Sequence, residues 1–466
     1  MVPFGCWCLV VFVQGERPGH DVGCDLAGLI QSRAPSKSVR DLGHKKKPKL
    51  YVYDLPSRFQ NGGHLEEKRG MPLDKWSSDM IFGGPPADVD GFPVWKSGNH
   101  DMALQLHYRF MNSQQRTLDV DEADVFLIPA YQMKYPDKYC ANRSDLVETL
   151  VKLNPKLKDE HWLKEKGPRH LLANGRVEIC EYMLDKEPPL RSAVRVSIGP
   201  EIKGTLRDGF FYTHRQPWDW YLFPYPSMFH GPKTPAHHRP RGMGKWLWTF
   251  SGKVAHGSSM PLRVHIRDHC LKDSKCAWTK KFYHNIIAVA QEKLHSTFCV
   301  EPAGDTLLRK SLMDSIVAGC IPVLFAHNAL DLYGLLVTRE EWAKATVFIP
   351  EAKLMAKQNW SHWATGTFLD GNSTAEELKK LHPEHASLFD ALDPAHSSEQ
   401  RHAAVEALFP KPSSISSVLR AISEEEVKKK QEALAKIAHR FVIGVDDSNG
   451  DAVNILLRHI SARTPS

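Results

Sequence analysis

Apolar positions along the chain follow two periods in turn. Leu50–Tyr53 is a β-branched and aromatic run closed by Asp54-Leu55-Pro56, which predicts a strand entering a loop. Met102–Met111 then sets Leu104, His107, Tyr108 and Met111 at helical spacing. Ala123–Pro129 is an apolar run stopped by Pro129, the form of a buried parallel strand. The same logic returns later. Trp246–Phe250 predicts a strand ending in Ser251-Gly252-Lys253, and Ser296–Val300 another ending at Glu301-Pro302. Thr306–Ala318 has a helical pattern through Leu308, Leu312 and Ile316, stopped by Gly319. Ile321–Phe325 is the next strand. Helix and strand in repeated alternation predict an α/β architecture.

Near the end, Ser423 followed by Glu424, Glu425 and Glu426 predicts a helix opened by a capping box. Each of these glutamates precedes Lys428, Lys429 or Lys430 by four residues, a favourable order on a solvated helix face. Val427, Leu434, Ile437 and Phe441 form its buried stripe. No internal repeat at solenoid periods is present.

The 466 residues hold 42% hydrophobic and 25% charged residues, which excludes a disordered chain, a collagen-like repeat and a polytopic membrane protein. That length allows two to four domains, or two large ones, with cores that need no disulfides to replace them. The formal net charge is +7. Residues 1–50 carry eight cations and four anions, or +4, so the remaining body is nearly neutral. A nucleic-acid binder needs a basic face on a folded domain, and this distribution does not predict one.

Val2–Val13 is apolar apart from Cys and Gly, about a dozen residues and too short to span a bilayer. It reads as a signal-peptide h-region lacking the positive n-region, a shortened signal anchor, or a buried first strand. Glu16–Lys49 mixes Gly, Pro, Ser and cations without periodicity, as a stem or linker does. Of nine cysteines, Cys6, Cys8 and Cys24 lie in this N-terminal segment. The others are Cys140, Cys180, Cys270, Cys276, Cys299 and Cys320. Six in the body fit disulfides in a secretory compartment, with Cys270 and Cys276 close enough in sequence to pair. Sequons at Asn142, Asn359 and Asn372 are weak support for the same compartment.

The strongest local signal for chemistry is Glu301-Pro302-Ala303-Gly304-Asp305-Thr306, a glycine-containing loop between a strand and a helix. Unpaired backbone N–H groups and the positive end of the helix dipole favour a phosphate or diphosphate there. Arg309 and Lys310 add cations. The alternative is that Asp305 or Thr306 caps the helix and the cations are surface residues. The loop is neither a Walker A nor a G-x-G-x-x-G sequence. Metal signals are poor. Asp88-Val89-Asp90 and Asp119-Val120-Asp121 do not close hydrophobic strands, and His382-Pro383-Glu384-His385 has the wrong spacing and a proline for a zinc helix. No metal ligand set is expected. Aromatics at Trp218-Asp219-Trp220-Tyr221 and Trp246-Leu247-Trp248 suit either core packing or stacking on sugar rings.

Residues 296–325, STFCVEPAGDTLLRKSLMDSIVAGCIPVLF, resemble the signature of the exostosin-type glycosyltransferases, glycosyltransferase family 47. Arg309–Asp314 is similar to the R-R-S-x-F-D form of the plant xyloglucan galactosyltransferase relatives. In order along the chain, LYVYDLPSRF at 50–59 and RTLDVDEADVFLIPAY at 116–131 resemble the family's opening strand and its "DPeeAD-F-vP-Y" segment. Pro224–His230 resembles "PYPTYFHP", and Phe250-Ser251-Gly252 with Arg263 and the Cys270/Cys276 pair resembles the next block. The likeness covers about residues 50 to 330.

The resemblance implies a GT-B fold of two Rossmann-like domains facing across a cleft. The segments are then a signal or anchor and stem at 1–47, an acceptor-side domain at 48–243, and a nucleotide-sugar domain at 244–466. It implies inverting transfer from a nucleotide sugar, a UDP-sugar with UDP-galactose among the choices, to a polysaccharide or glycoprotein glycan. No obligatory metal or resident cofactor is implied, and no nucleic-acid partner. The expected setting is the Golgi membrane, as a type II protein with a lumenal catalytic body, in complexes with other glycosyltransferases. A secreted form follows if the N-terminal segment is cleaved.

Glu301, Gly304, Asp305, Arg309, Ser311 and Asp314 fall on motif positions. The loop with Thr306, Arg309 and Lys310 is expected to hold the diphosphate, and Glu301 to approach the ribose or sugar. Asp314 is either structural or sugar-orienting. Ser251, Gly252, Lys253 and Arg263 are expected to flank the phosphates. The family's "GGRDHFLVAGR" block appears as Gly167–Arg176 without the Asp between Arg169 and His170. His170 is the candidate base, since transfer needs a group to take the acceptor proton. The missing Asp also motivates a second reading, a catalytically weak glycan-binding or scaffolding subunit.

Overall fold

Short apolar runs build two five-stranded sheets, each entirely parallel. The first holds β1 (Leu50–Val52), β4 (Val125–Ile128), β5 (His170–Asn174), β6 (Val194–Ser197) and β7 (Trp220–Leu222), in that spatial order. The second runs β12 (Val347–Phe348), β11 (Ile321–Leu324), β10 (Ser296–Val300), β8 (Trp246–Thr249) and β9 (Cys276–Ala277). A separate antiparallel hairpin joins β2 (Ala87–Val89) to β3 (Phe92–Val94). β4, β6, β10 and β11 are buried at every position, because helices cover both faces of a parallel sheet. The computed structural model describes residues 47–56, 59, 75, 77–130, 143–175, 188–198, 220–254, 260–279, 285–304, 308–326, 333–356, 375–393, 395–447 and 450–463. All lie within one unit, 37–466.

The two sheets differ in winding. The first follows chain order. The second reverses: the chain goes from β8 outward to β9, then back past β8 to β10, and on to β11 and β12. The reversal opens a crevice between the C-terminal ends of β8 and β10, the place where open α/β sheets bind ligands.

Alternate residues of β4 go to opposite cores. Val125 and Leu127 share an apolar cluster with Leu106 and Phe110 of helix Met102–Met111 and with Leu456 and Ile460 of helix Ala452–Ser461. Phe126 and Ile128 join Leu146, Leu150 and Trp162 on the other face. The first of these clusters continues through Phe223, Met228 and Phe229 to Leu312 and Ile316 of helix Lys310–Ala318. The two sheets therefore share apolar packing, and the final helix returns to the first sheet.

β1, β4, β8, β10, β11 and helix Met102–Met111 lie where the apolar pattern places them, and the other strands were not predicted. One helix starts late. It covers Lys310–Ala318, not Thr306–Ala318, because Arg309 is extended (φ −143°, ψ 158°) and forms its N-cap without a side-chain bond. Gly319 ends it at φ 74°, in the left-handed region. Helix Glu424–Ala438 has its N-cap bond from Glu426 N to Ser423 Oγ (3.2 Å), and Glu424 and Glu425 pair with Lys428 and Lys429. The reciprocal bond of a capping box does not form; Glu426 turns toward Lys430, 3.9 Å away. Cys270 and Cys276 are bridged, and a second disulfide, not anticipated, ties Cys299 of β10 to Cys320 just before β11. Among the described residues no helix is long and apolar enough to cross a membrane. The N-terminal apolar run, the stem up to residue 46, the three sequons, Cys140, Cys180, Trp218 and Asp219 lie outside the described residues.

Three histidines are buried neutral in these cores. Burial lowers His107 and His170 to about 4 and His230 to about 3, against about 6.5 in an unfolded chain. Between those limits the unfolded chain binds protons that the folded chain does not. Stability is therefore full above pH 6.5 and falls as pH falls, by about 1.4 kcal/mol per pH unit for each fully titrating histidine. Denaturant titrations between pH 7 and pH 4 should show this loss; a flat profile would contradict the neutral burial.

Candidate active site

Two loops leave the C-terminal ends of β8 and β10 and flank the crevice. Phe250–Lys253 follows β8; Glu301–Gly304 follows β10, and Leu308 and Arg309 lead into helix Lys310–Ala318. Arg263, on helix Met260–Lys272, joins them. Its side chain is almost wholly buried and donates from Nε to Ala303 O (3.1 Å) and from Nη1 to Lys253 O. One guanidinium thus spans the switch point, over the Phe250 ring. Gly252 is small because the space is taken: an added Cβ would lie 3.0 Å from the Phe250 ring and 3.1 Å from Arg263 Nη2. Lys253 is exposed. The Ser251 hydroxyl is buried beside the Glu292 carboxyl.

The second loop places Arg309 directly on Gly304. An ideal Cβ at Gly304 would fall 1.1 Å from Arg309 Nη1 and 2.4 Å from Cζ. Glycine is therefore what lets the guanidinium lie against the backbone at the head of helix Lys310–Ala318. Arg309 is half-buried, and its guanidinium has no hydrogen-bond or ion-pair partner among the described residues. A Gly304→Ala change should displace Arg309 and lower any nucleotide affinity that depends on it by about tenfold or more, while leaving the melting temperature within a few degrees. Titration with UDP checks this, and unchanged affinity would separate Gly304 from Arg309.

Other expected ligands of the loop are engaged within the protein. Glu301 Oε1 accepts from Lys293 Nζ (3.1 Å), Ser311 Oγ (3.0 Å) and Ser315 Oγ (2.6 Å). Lys310 Nζ sits on both oxygens of Asp314 (3.0 and 3.3 Å). Asp314 Oδ1 also accepts from Met228 N (2.7 Å), so this carboxylate ties the helix to the Pro224–His230 segment. Lys310, Ser311, Glu301 and Asp314 thus shape the site's base rather than project from it. Asp305 and Thr306 lie outside the described residues.

His170 does not join the cluster, and its expected role as base is corrected here. It is the first residue of β5, at the end of the first sheet opposite to the C-terminal edge. It is fully buried, Nε2 bonds Tyr53 Oη (2.9 Å), Nδ1 bonds Lys166 O (2.9 Å), and the ring stacks on Phe126. Asn154 donates to the same Tyr53 oxygen. With both nitrogens occupied and no solvent contact, this imidazole cannot reach an acceptor hydroxyl. The acidic triplets make turns: Asp88 accepts from Gly91 N, Asp119 from Asp121 N, and Asp90 pairs with His295. Among the described residues no group of three His, Cys, Asp or Glu is placed to hold a metal ion.

Glu292 and Lys293 were not singled out by sequence. Both lie on helix Ile286–His295 and both are buried. Burial pushes the Glu292 carboxyl up, against hydrogen bonds from Thr279 and Thr249 that hold it down. The only signal in the sequence is a charged pair inside an apolar helix immediately before a buried strand.

The fold and site define an α/β protein with two parallel sheets and a cation-bearing crevice at the switch point of the second. The Exostosin GT47 domain profile matches residues 44–361, and the chain belongs to that glycosyltransferase family. Curated relatives agree. A probable xyloglucan galactosyltransferase, GT17 of Arabidopsis thaliana, is 27% identical over 331 residues, 65% of this chain and 70% of the relative. Xyloglucan galactosyltransferase MUR3 of the same plant is 25% identical over 327 residues, 65% of this chain and 52% of the relative. Xyloglucan-specific galacturonosyltransferase 1, also from Arabidopsis thaliana, is 25% identical over 59% of this chain and 43% of its own. The matched part therefore spans from under half to about seven tenths of these relatives.

Proposed function

We propose that the chain is an inverting glycosyltransferase that moves a sugar from a UDP-sugar, UDP-galactose first among them, to a polysaccharide or glycan of the xyloglucan type. The observation that carries this is the Arg309 guanidinium, unpartnered among the described residues and seated on Gly304 at the switch-point crevice. In this reading the sheets form a GT-B pair, with residues 48–243 taking the acceptor and 244–466 the donor. The acceptor hydroxyl attacks the anomeric carbon opposite the diphosphate. A new C–O bond forms there, the bond to the diphosphate breaks, and the acceptor proton leaves to a base. Arg309, Lys253 and the first N–H groups of helix Lys310–Ala318 stabilise the charge that grows on the leaving diphosphate. These groups take the part that a metal ion plays elsewhere. The disulfides Cys270–Cys276 and Cys299–Cys320 support an oxidising compartment, in keeping with a Golgi lumen, a type II membrane anchor and neighbouring transferases as partners.

Purified protein incubated with a panel of UDP- and GDP-sugars and xyloglucan oligosaccharides tests this through nucleotide release. Turnover is expected with a UDP-sugar. UDP alone at 100 times its dissociation constant should add about 2.7 kcal/mol of stability. Glycan binding with neither turnover nor a UDP effect would favour the scaffolding reading instead.

A further inference from the structure

Helix Ile286–His295 carries the chain from β9 back to β10 and so underlies the switch point. Two consecutive side chains on it reach the two walls of the crevice. Glu292 Oε2 lies 3.3 Å from Thr249 Oγ1, at the end of β8, and Oε1 accepts from Thr279 Oγ1 just beyond β9. Thr249 Oγ1 also lies 2.9 Å from Ala277 O, closing the β8–β9 side. Lys293 serves the other wall. Its side chain is 1% exposed, and Nζ shares its three N–H groups among Glu301 Oε1 (3.1 Å), Ser315 Oγ (2.7 Å), Ser311 Oγ (3.0 Å) and Ser311 O (3.2 Å). Glu301 opens the loop that ends at Arg309, and Ser311 stands in the first turn of the helix after it. Both ends of that loop are held by one ammonium.

We propose that Glu292 and Lys293 act together as positioning residues, fixing the distance between the Ser251–Lys253 wall and the wall made by Gly304 and Arg309 so that one diphosphate meets both. Neither touches the ligand. Each fixes a backbone from which a ligand-facing group projects, and a buried charge with several directed bonds resists displacement more than apolar contact does. A misplacement of about 1 Å is enough to lose much of such an interaction. The inference rests on the donor-site reading above.

The test uses the full chain and UDP as the probe, by calorimetric titration. Lys293→Met combined with Glu301→Gln removes both buried charges and leaves neither unpaired. This double variant should bind UDP about tenfold to a hundredfold more weakly. The decisive readout is coupling to Arg309. In an Arg309→Ala background the same two changes should alter UDP affinity by about twofold or less, because their effect runs through the placement of Arg309. If the double variant does not melt cooperatively, Glu292→Gln, which keeps shape and turns one acceptor into a donor, is judged against Ser251→Ala and Lys253→Ala in the same way. Unchanged UDP affinity in a folded variant, or equal losses with and without the wall residue, would overturn the positioning role while the donor site stands. Wild-type protein that binds no UDP would overturn both.

Discussion

Arg309→Ala should lower turnover by about two to three powers of ten, with little change in melting temperature. The size is that of removing one preorganised donor from a site of developing negative charge. The small stability effect follows from the structure: the guanidinium has no hydrogen-bond partner among the described residues, so its removal orphans no buried group. Lys310 makes a useful contrast. Its ammonium is already committed to Asp314, so an effect on turnover as large as that of Arg309 is not expected from it. Initial rates with a UDP-sugar, set beside thermal melts, separate the two. Near-wild-type turnover in Arg309→Ala would remove the assigned role.

The largest stability effect is expected far from the crevice, at Arg109. Its side chain is 2% exposed and donates to Asp451 Oδ2 (2.6 Å), Gly444 O (2.7 Å) and Asp447 Oδ1 (3.3 Å). These bonds hold the segment leading into helix Ala452–Ser461 against helix Met102–Met111. Asp451 also caps the last helix, accepting from Asn454 N (3.0 Å). Arg109→Ala leaves that carboxylate buried without its counter-charge. Breaking a buried pair from one side costs about 3–5 kcal/mol, and denaturant unfolding should show it. Arg109→Met with Asp451→Asn should recover part of the loss. If Arg109→Ala costs no more than about 1 kcal/mol, the last helix is held by its apolar face alone.

Val125–Ile128 and Ile321–Leu324 were readable as buried strands because neither face carries a polar side chain to confuse the period, whereas β6, equally buried, was not, because Arg195 and Ser197 break its apolar run. The start of helix Lys310–Ala318 was not. Leu308 is buried as the helical period requires, yet its backbone is not helical, so the apolar rhythm runs past the true N-terminus. Residue types in the crevice were readable too: Ser251, Gly304 and Arg309 came from segments that follow strands, and Arg263, on helix Met260–Lys272, came from the family resemblance. Their contacts were not. Nothing in the order of residues says that Arg309 folds back onto Gly304, or that Lys310 is spent on Asp314. His170 misled for a related reason. A motif position does not reveal which end of a strand it occupies, and His170 sits at the N-terminal end with both nitrogens satisfied. Lys293 and Arg109 were passed over because a cation in a helix reads as solvated until its distant partner is known.

Amide hydrogen exchange of the full chain with and without saturating UDP tests the central claim most directly, since it locates the nucleotide. Protection confined to Phe250–Lys253, to the loop from Glu301 to Arg309 and to the first turn of helix Lys310–Ala318 is the predicted result. Protection at the C-terminal ends of β4 and β5 instead, or none anywhere, would contradict a donor site at the β8–β10 switch point.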